Sequence, residues 1–363
     1  MGKTKEGGML LSVPNGVFYN PEMELCRDLS GLCLGALGGK LSVVDAMCAT
    51  GVRGLRYRKE NGNVSSLALV DMSSRAVAAA KRNAAANRVK CTVAKRDACE
   101  YLRNRGFDFV ELDPFGSPAP YLHDAAKSFR EKKQGFLSVT ATDMAVLCGA
   151  HHAACMKYYG AVPLDNEFCH ENAVRILAGK VILNCAPFNL SAEPIFTLSH
   201  RHYVKMIFEL RRGSEGAVES VKRLGFVSYC PACCFREAKR LVAIERCPSC
   251  GHLLQYAGPL YTGALWREDT LKSMLRLNAK RVYRKRAQIE KLLNTMISES
   301  GIRAYGYYDL HTLAKKLSVR IKGMEEMLAD FAAEGLSASR THFCPTAIRT
   351  DAPHKKIIEL VSK

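Results

Sequence analysis

The chain has 363 residues, enough for two globular units and a small insert, and 48% hydrophobic with 24% charged residues excludes a wholly disordered or collagen-like polymer. Lys and Arg total 53 against 35 Asp and Glu, and the resulting charge of +18 points to a polyanionic partner, nucleic acid first and an acidic membrane face second. Apolar runs fall short of the roughly 18 residues that cross a bilayer, and residues 1–6 carry neither a signal-peptide core nor a myristoylation site, so a soluble, cytoplasmic protein without membrane contact is expected.

Residues 41–45, Leu-Ser-Val-Val-Asp, form a short β-branched run that ends on an acid and meets small residues before a helix begins. Residues 67–71 repeat the pattern before an Ala-rich helix at 74–87, Val93 precedes Asp97 in the same manner, and residues 107–113 supply the next strand. Further apolar runs follow at 135–140, 180–183 and 203–210. Strands alternating with helices at this spacing predict βαβ units and a parallel sheet, hence a doubly wound α/β domain over residues 1–265.

Between Phe226 and Tyr256 the composition shifts to Cys, Pro and small residues, which predicts a compact insert at about 226–257. From Trp266 the chain turns helical and basic. Arg267, Lys272, Arg276, Lys280, Arg281, Arg284, Lys285, Arg286 and Lys291 share one predicted helical segment, with Leu271, Leu275, Val282 and Ile289 as its apolar stripe. Its cationic face suits a phosphate backbone, a solvated helix face being the alternative. Two helices at 309–316 and 322–334 and a following strand over 335–343 suggest a winged helix.

In an open parallel sheet ligands bind beyond the carboxyl ends of the strands, where Asp45, Asp71, Asp97 and Asp113 all fall. Asp71 stands where a carboxylate bonds ribose hydroxyls, and Asp97 with Ala98 can address an adenine edge. Helix capping is the competing reading for Asp71 and Asp97. The turn from Asp45 to Gly54 has glycines only at Gly51 and Gly54 and so is no diphosphate-binding G-x-G-x-x-G. Its small residues Ala46, Cys48 and Ala49 leave room for a ligand without a diphosphate, such as S-adenosylmethionine.

Asp113-Pro114-Phe115-Gly116-Ser117-Pro118 is a stiff loop directly after a buried strand. It resembles the loop with which amino-group methyltransferases hold an exocyclic NH₂ by a carboxylate and a backbone carbonyl while an aromatic ring stacks on the flipped base. Asp113, Pro114 and Phe115 are therefore the candidate catalytic residues.

Cys230-Pro-Ala-Cys233 and Cys247-Pro-Ser-Cys250 are two C-x-x-C pairs thirteen residues apart, the pattern of a closed tetrahedral, structural Zn²⁺ site. Disulfides or redox thiols are the alternatives. Cys234 is out of register. Most other cysteines, Cys33 and Cys185 among them, stand singly among apolar neighbours, as in a reducing compartment. His151 and His152, with Cys155 nearby, are adjacent in the chain and cannot share a helix face, so they are taken as ordinary helix residues.

Together the motifs are similar to the archaeal-type tRNA guanine-26 N2-dimethyltransferase family over nearly the whole chain. The matching residues are 18–30 (Phe-Tyr-Asn-Pro-Glu-Met-Glu-Leu-Cys-Arg-Asp-Leu-Ser), 51–54 (Gly-Val-Arg-Gly), 113–118, 140–144 (Thr-Ala-Thr-Asp-Met), 339–342 (Ser-Arg-Thr-His) and 349–351 (Arg-Thr-Asp). The resemblance implies a Rossmann-like class I methyltransferase domain with a zinc-ribbon insert, joined to a C-terminal, winged-helix-like α+β domain that binds tRNA over 266–363. It also implies S-adenosylmethionine contacts at Arg27, Arg53, Asp71, Asp97 and Ala98, a catalytic Asp113, and two methyl transfers to one guanine N2. This chain has Cys26 where the family usually has Asn. A monomer is expected.

Three rivals stay open on the residues alone. A DNA or rRNA amino-methyltransferase shares the loop, a nicotinamide oxidoreductase shares the strand pattern but not the glycines, and a non-enzymatic zinc-ribbon binder shares the charge and cysteines.

Overall fold

The computed structural model describes residues 2–103, 105–242 and 245–363. Strands β1 (Gly2–Glu6) and β2 (Met9–Val13) form an antiparallel hairpin ahead of helix α1 (Glu24–Ala36). The main domain then alternates β3 (Leu41–Asp45), α2 (Val52–Glu60), β4 (Val64–Asp71), α3 (Ser74–Ala86), β5 (Thr92–Lys95), α4 (Ala98–Arg103), β6 (Phe109–Leu112), α5 (Leu122–Lys127) and β7 (Gln134–Ala141). Helices α6 (Met144–Leu147), α7 (His152–Tyr159) and α8 (Cys169–Cys185) lead to β8 (Leu190–His200), β9 (Tyr203–Arg212) and α9 (Ser214–Lys222).

One seven-stranded sheet runs β5-β4-β3-β6-β7-β9-β8, parallel from β5 to β7, with β9 antiparallel to both its neighbours. Strand β3 has β4 on one side and β6 on the other, so the sheet changes its direction of growth there and opens a crevice at the strands' carboxyl ends. Asn83 on α3 and Asn87 at its C-terminal cap act as a substitute strand for β2, accepting from the Ser12 and Leu10 N–H groups at 2.8 Å each. That contact seats the hairpin against the domain.

One expectation needs correction, and one strand was not foreseen. Residues 180–183 lie inside α8, which is buried on most of its surface, because a short apolar run reads alike in a strand and in a buried helix. Strand β8 carries Pro194 and a register shift between Pro194 and Phe196, features that hide an edge strand from a pattern search.

The insert is a three-stranded antiparallel sheet of β10 (Leu224–Tyr229), β11 (Arg236–Lys239) and β12 (Gln255–Tyr261), ordered β11-β10-β12. Beyond it come α10 (Glu268–Ala279), α11 (Arg286–Ser300), β13 (Tyr308–Asp309), α12 (Leu310–Leu317), α13 (Met324–Ala333), β14 (Ala338–Arg340), β15 (Ala347–Thr350) and α14 (His354–Ser362). From α11 to β15 the order is helix, strand, two helices, two strands, with the sheet arranged β13-β15-β14, which is a winged-helix topology.

The basic segment is two helices, not one. Asn278 donates to the Arg286 carbonyl at 3.0 Å across the break, and Val282 is fully exposed in the connection instead of joining an apolar stripe. Arg281 donates to Asn61 at 2.9 Å, Tyr283 to Glu60 at 2.6 Å and Arg284 to Glu24. With Arg267, which donates to Glu209 of β9 at 2.6 Å, three of the cations expected to face a partner therefore bind the main domain. Among the described residues no helix is long and apolar enough to cross a membrane.

Candidate active site

The crevice at the switch point is a cavity of about 370 Å³ whose lining includes Arg27, Asp45, Arg53, Asp71, Asp97, Ala98, Asp113, Pro114 and Phe115. It is of small-molecule size. Every candidate catalytic and cofactor residue read from the sequence thus meets at one place.

The strand-end acids divide by task. Asp71 accepts from the Ala49 N–H at 2.9 Å and the Ser73 N–H at 2.8 Å, holding the small-residue loop after β3. Ser73, not Asp71, caps α3. Asp97 does cap α4, accepting from the Glu100 N–H at 3.0 Å, while still lining the crevice. Asp45 is 2% exposed and accepts from the Gly54 N–H at 3.1 Å. Burial, with Glu111 beside it, pushes its carboxyl up to about 7 against the pull of Arg53. A Cβ at Gly54 would stand 2.4 Å from Leu69 Cδ2 and 3.1 Å from Asp45 Cβ, so a larger residue there makes those side chains shift.

At the cavity floor Arg53 donates to Asp113 and lies 3.7 Å from Glu111. Burial raises the Asp113 carboxyl, but Arg53 and then Lys205 outweigh it and hold it below its ordinary value. A quarter of the Asp113 side chain, 24%, stays accessible. Behind it Lys205, fully buried on β9, pairs with Glu111 and donates to Thr140 at 3.1 Å, while Tyr57 donates to Glu111 at 2.8 Å. Glu111, Lys205, Tyr57 and Thr140 escaped the sequence reading as site residues. The available signal was Glu111 amid the apolar residues of β6 and Lys205 amid those at the start of β9.

The loop after β6 is pinned on both sides. Gly116 and Thr142 exchange two bonds, Gly116 N–H to Thr142 Oγ1 at 2.8 Å and Thr142 N–H to the Gly116 carbonyl at 3.0 Å. Ser117 donates to the Tyr159 hydroxyl, which donates to Asp143, each at 2.9 Å. Pro114 is buried, yet Phe115 is 76% exposed and meets the Phe18 ring edge-on at 4.6 Å between centroids. Two aromatic rings so placed at a cavity mouth offer a flat group a stacking surface.

Arg27 on α1 is held by Glu6 of the hairpin, at 2.6 and 2.5 Å, and donates to the Asn20 carbonyl at 3.0 Å. This fixes the rim segment 18–23 over the crevice. Cys26 lies 3.7 Å from an Arg53 nitrogen, so the thiol fills the place expected of Asn without displacing Arg27.

In the insert Cys230 and Cys250 are 3.5 Å apart, Cys233 and Cys247 3.6 Å, and all four sulfurs lie within 4.8 Å of one another. A tetrahedral zinc with thiolate bonds near 2.3 Å has edges of about 3.8 Å, so the four residues fit the ion. Cys234 faces Tyr229 instead. His151 and His152 are exposed, but Cys148, Cys169 and His170 do gather.

A switch-point crevice served by a small-residue loop, on a parallel sheet closed by an antiparallel pair, defines a Rossmann-like methyltransferase. The sequence pattern of the N2,N2-dimethylguanosine tRNA methyltransferase family matches residues 2–362. The chain belongs to that family. It is 35% identical over 373 residues to the tRNA (guanine(26)-N(2))-dimethyltransferase of Methanothermobacter thermautotrophicus, covering 98% of this chain and 97% of the relative. It is 37% identical over 348 residues to that of Methanoculleus marisnigri, covering 95% and 91%. The solved complex of Trm1 from Pyrococcus horikoshii with S-adenosyl-L-methionine matches with a TM-score of 0.92 and 32% identity over 100% of both chains.

Proposed function

We propose that this protein transfers two methyl groups from S-adenosylmethionine to the exocyclic N2 of guanine 26 in tRNA, giving N2,N2-dimethylguanosine. The observation that carries the reading is an ionised Asp113 at the floor of a small-molecule crevice, directly beside an exposed Phe115–Phe18 pair. Arg27, Arg53, Asp71, Asp97 and Ala98 hold S-adenosylmethionine, which when bound supplies an electrophilic methyl group on its sulfonium.

The chemical obstacle is that the guanine amine's lone pair is delocalised into the ring. Asp113 accepts one N2 hydrogen and the Pro114 carbonyl the other, which turns the lone pair out of conjugation and orients it. Phe115 stacks on the extruded base, and Phe18, edge-on to Phe115, forms a second wall. Once N2 carries a fourth bond it is cationic and strongly acidic, so even a carboxylate weakened as a base by Arg53 stabilises that charge and takes the proton. A monomethylated N2 keeps one hydrogen for the same carboxylate, so the grip survives into the second transfer.

Cys230, Cys233, Cys247 and Cys250 hold a structural Zn²⁺, all four positions being filled by thiolates. Residues 266–363 form the tRNA-binding unit of a cytoplasmic monomer. Lys280, Arg286 and Lys291 are exposed there with no ion-pair partner among the described residues. The test is incubation of an unmodified tRNA transcript with enzyme and cofactor, then nucleoside mass analysis with position mapping. Dimethylguanosine at position 26 is expected; product only on DNA or rRNA overturns the reading. Asp113→Ala is expected to lower the rate about 10³-fold with tRNA affinity unchanged, and full activity in that variant removes the mechanism.

A further inference from the structure

The segment after β7 carries a group of ligating side chains that methyl transfer does not use. Cys148, at the end of α6, meets Cys169 and His170, at the start of α8, and their ligand atoms all lie within 4.8 Å of one another. The Cys148 sulfur is 3.7 Å from His170 Nδ1. A tetrahedral zinc with Zn–S near 2.3 Å and Zn–N near 2.05 Å has an S···N edge of about 3.6 Å. The spacing is that of two ligands on one ion, and it parallels the 3.5 and 3.6 Å edges of the four-cysteine site.

The backbone is shaped to bring these residues together. Gly149 has φ +108°, and a Cβ there would stand 2.6 Å from the Asp165 nitrogen and 2.9 Å from the Leu164 carbonyl carbon. Only a residue without a side chain lets the turn after Cys148 lie flush against the segment that enters α8. Beside the cluster Tyr307 is fully buried, and its hydroxyl has no hydrogen-bond partner in the described structure. The Cys169 thiol is its neighbour. A donor of that kind serves a metal-bound thiolate as an outer partner.

We propose that Cys148, Cys169 and His170 bind a second Zn²⁺, distinct from that of the cysteine ribbon, with solvent as the fourth ligand. All three residues are half-exposed, so ion and water have access. Binding expels the two thiol protons and ties α6 to α8. Helix α6 follows Asp143, which accepts from Tyr159, which in turn receives Ser117 of the Asp113 loop. The ion therefore braces the far side of that loop without touching substrate.

The test is metal content per chain, by inductively coupled plasma mass spectrometry, of full-length protein purified under reducing conditions with Zn²⁺. The Cys148→Ser/Cys169→Ser variant is expected to hold one equivalent fewer than the parent, whatever the ribbon holds. Equal zinc in parent and folded variant overturns the proposal, as does a Cys148–Cys169 disulfide in non-reducing peptide mapping. Should the double variant fail to fold, alkylation decides in the parent protein. Cys148 and Cys169 are expected to react with iodoacetamide at least about 10-fold faster after a chelator is added, and His170→Ala to show the fast rate without chelator. Equal rates with and without chelator overturn the site.

Discussion

Arg53 donates to the Asp113 carboxylate across the floor of the crevice and so decides the charge state of the group on which the chemistry rests. Asp113 sits below its ordinary 3.8 although it is partly buried. The stability it adds is present above that ordinary value and is lost as pH falls through the depressed one. For catalysis, the carboxylate is ionised throughout pH 5–8, and its titration leaves no acid limb there. Arg53→Met removes the stabilising cation while burial remains, so a limb is expected to enter that range in kcat/KM; Arg53→Lys is expected to move it back down. A flat profile in Arg53→Met would show that another group sets Asp113.

The Lys205–Glu111 pair beneath that floor is fully buried on both sides. Lys205→Met strands Glu111 with less countercharge and is expected to cost about 3–5 kcal/mol in urea unfolding, whereas Lys205→Met/Glu111→Gln recovers most of it. If the double variant is no better than the single, Lys205 has a partner beyond Glu111 and Thr140.

Phe115 separates binding from folding. At 76% exposure its removal is expected to change stability by less than about 0.5 kcal/mol. Stacking on a base contributes about 1–3 kcal/mol, so Phe115→Ala is expected to lower kcat/KM for tRNA about 10- to 100-fold. Thermal unfolding and steady-state methyl transfer on the same preparation check both halves.

Asp45 gives a pH signature of opposite sign to Asp113. Its folded carboxyl at about 7 lies above the ordinary 3.8, so its contribution is complete below pH 4 and is lost as pH rises through 7. Asp45→Asn keeps an oxygen for the Gly54 N–H and removes the titration. Its stability relative to the parent is expected to improve by a kcal/mol or more between pH 5 and pH 8, on the order of the shift. A difference that does not change with pH would place the Asp45 proton elsewhere.

The crevice is legible in the sequence because an acid that ends a β-branched run marks a strand's carboxyl end, and Asp45, Asp71, Asp97 and Asp113 do so four times. The paired C-x-x-C knuckles are legible because local spacing alone sets two of a metal's edges. Glu111 and Lys205 are not, since each hides in a run whose apolar neighbours announce only burial, and their partnership spans two strands separated by β7. Cys148 with Cys169 and His170 is likewise a product of tertiary approach through Gly149. The break between α10 and α11 depends on Asn278 closing onto Arg286, which no periodicity reports.

The ties from Arg281 and Tyr283 to Asn61 and Glu60 at the end of α2, and from Arg284 to Glu24 on α1, fasten the cationic segment to the main domain, and Glu24 shares its helix with Arg27 at the crevice rim. Handle and tool are thereby one casting. The span from the exposed Arg286 and Lys291 of α11 to the crevice mouth is set by the fold itself and not by a flexible joint.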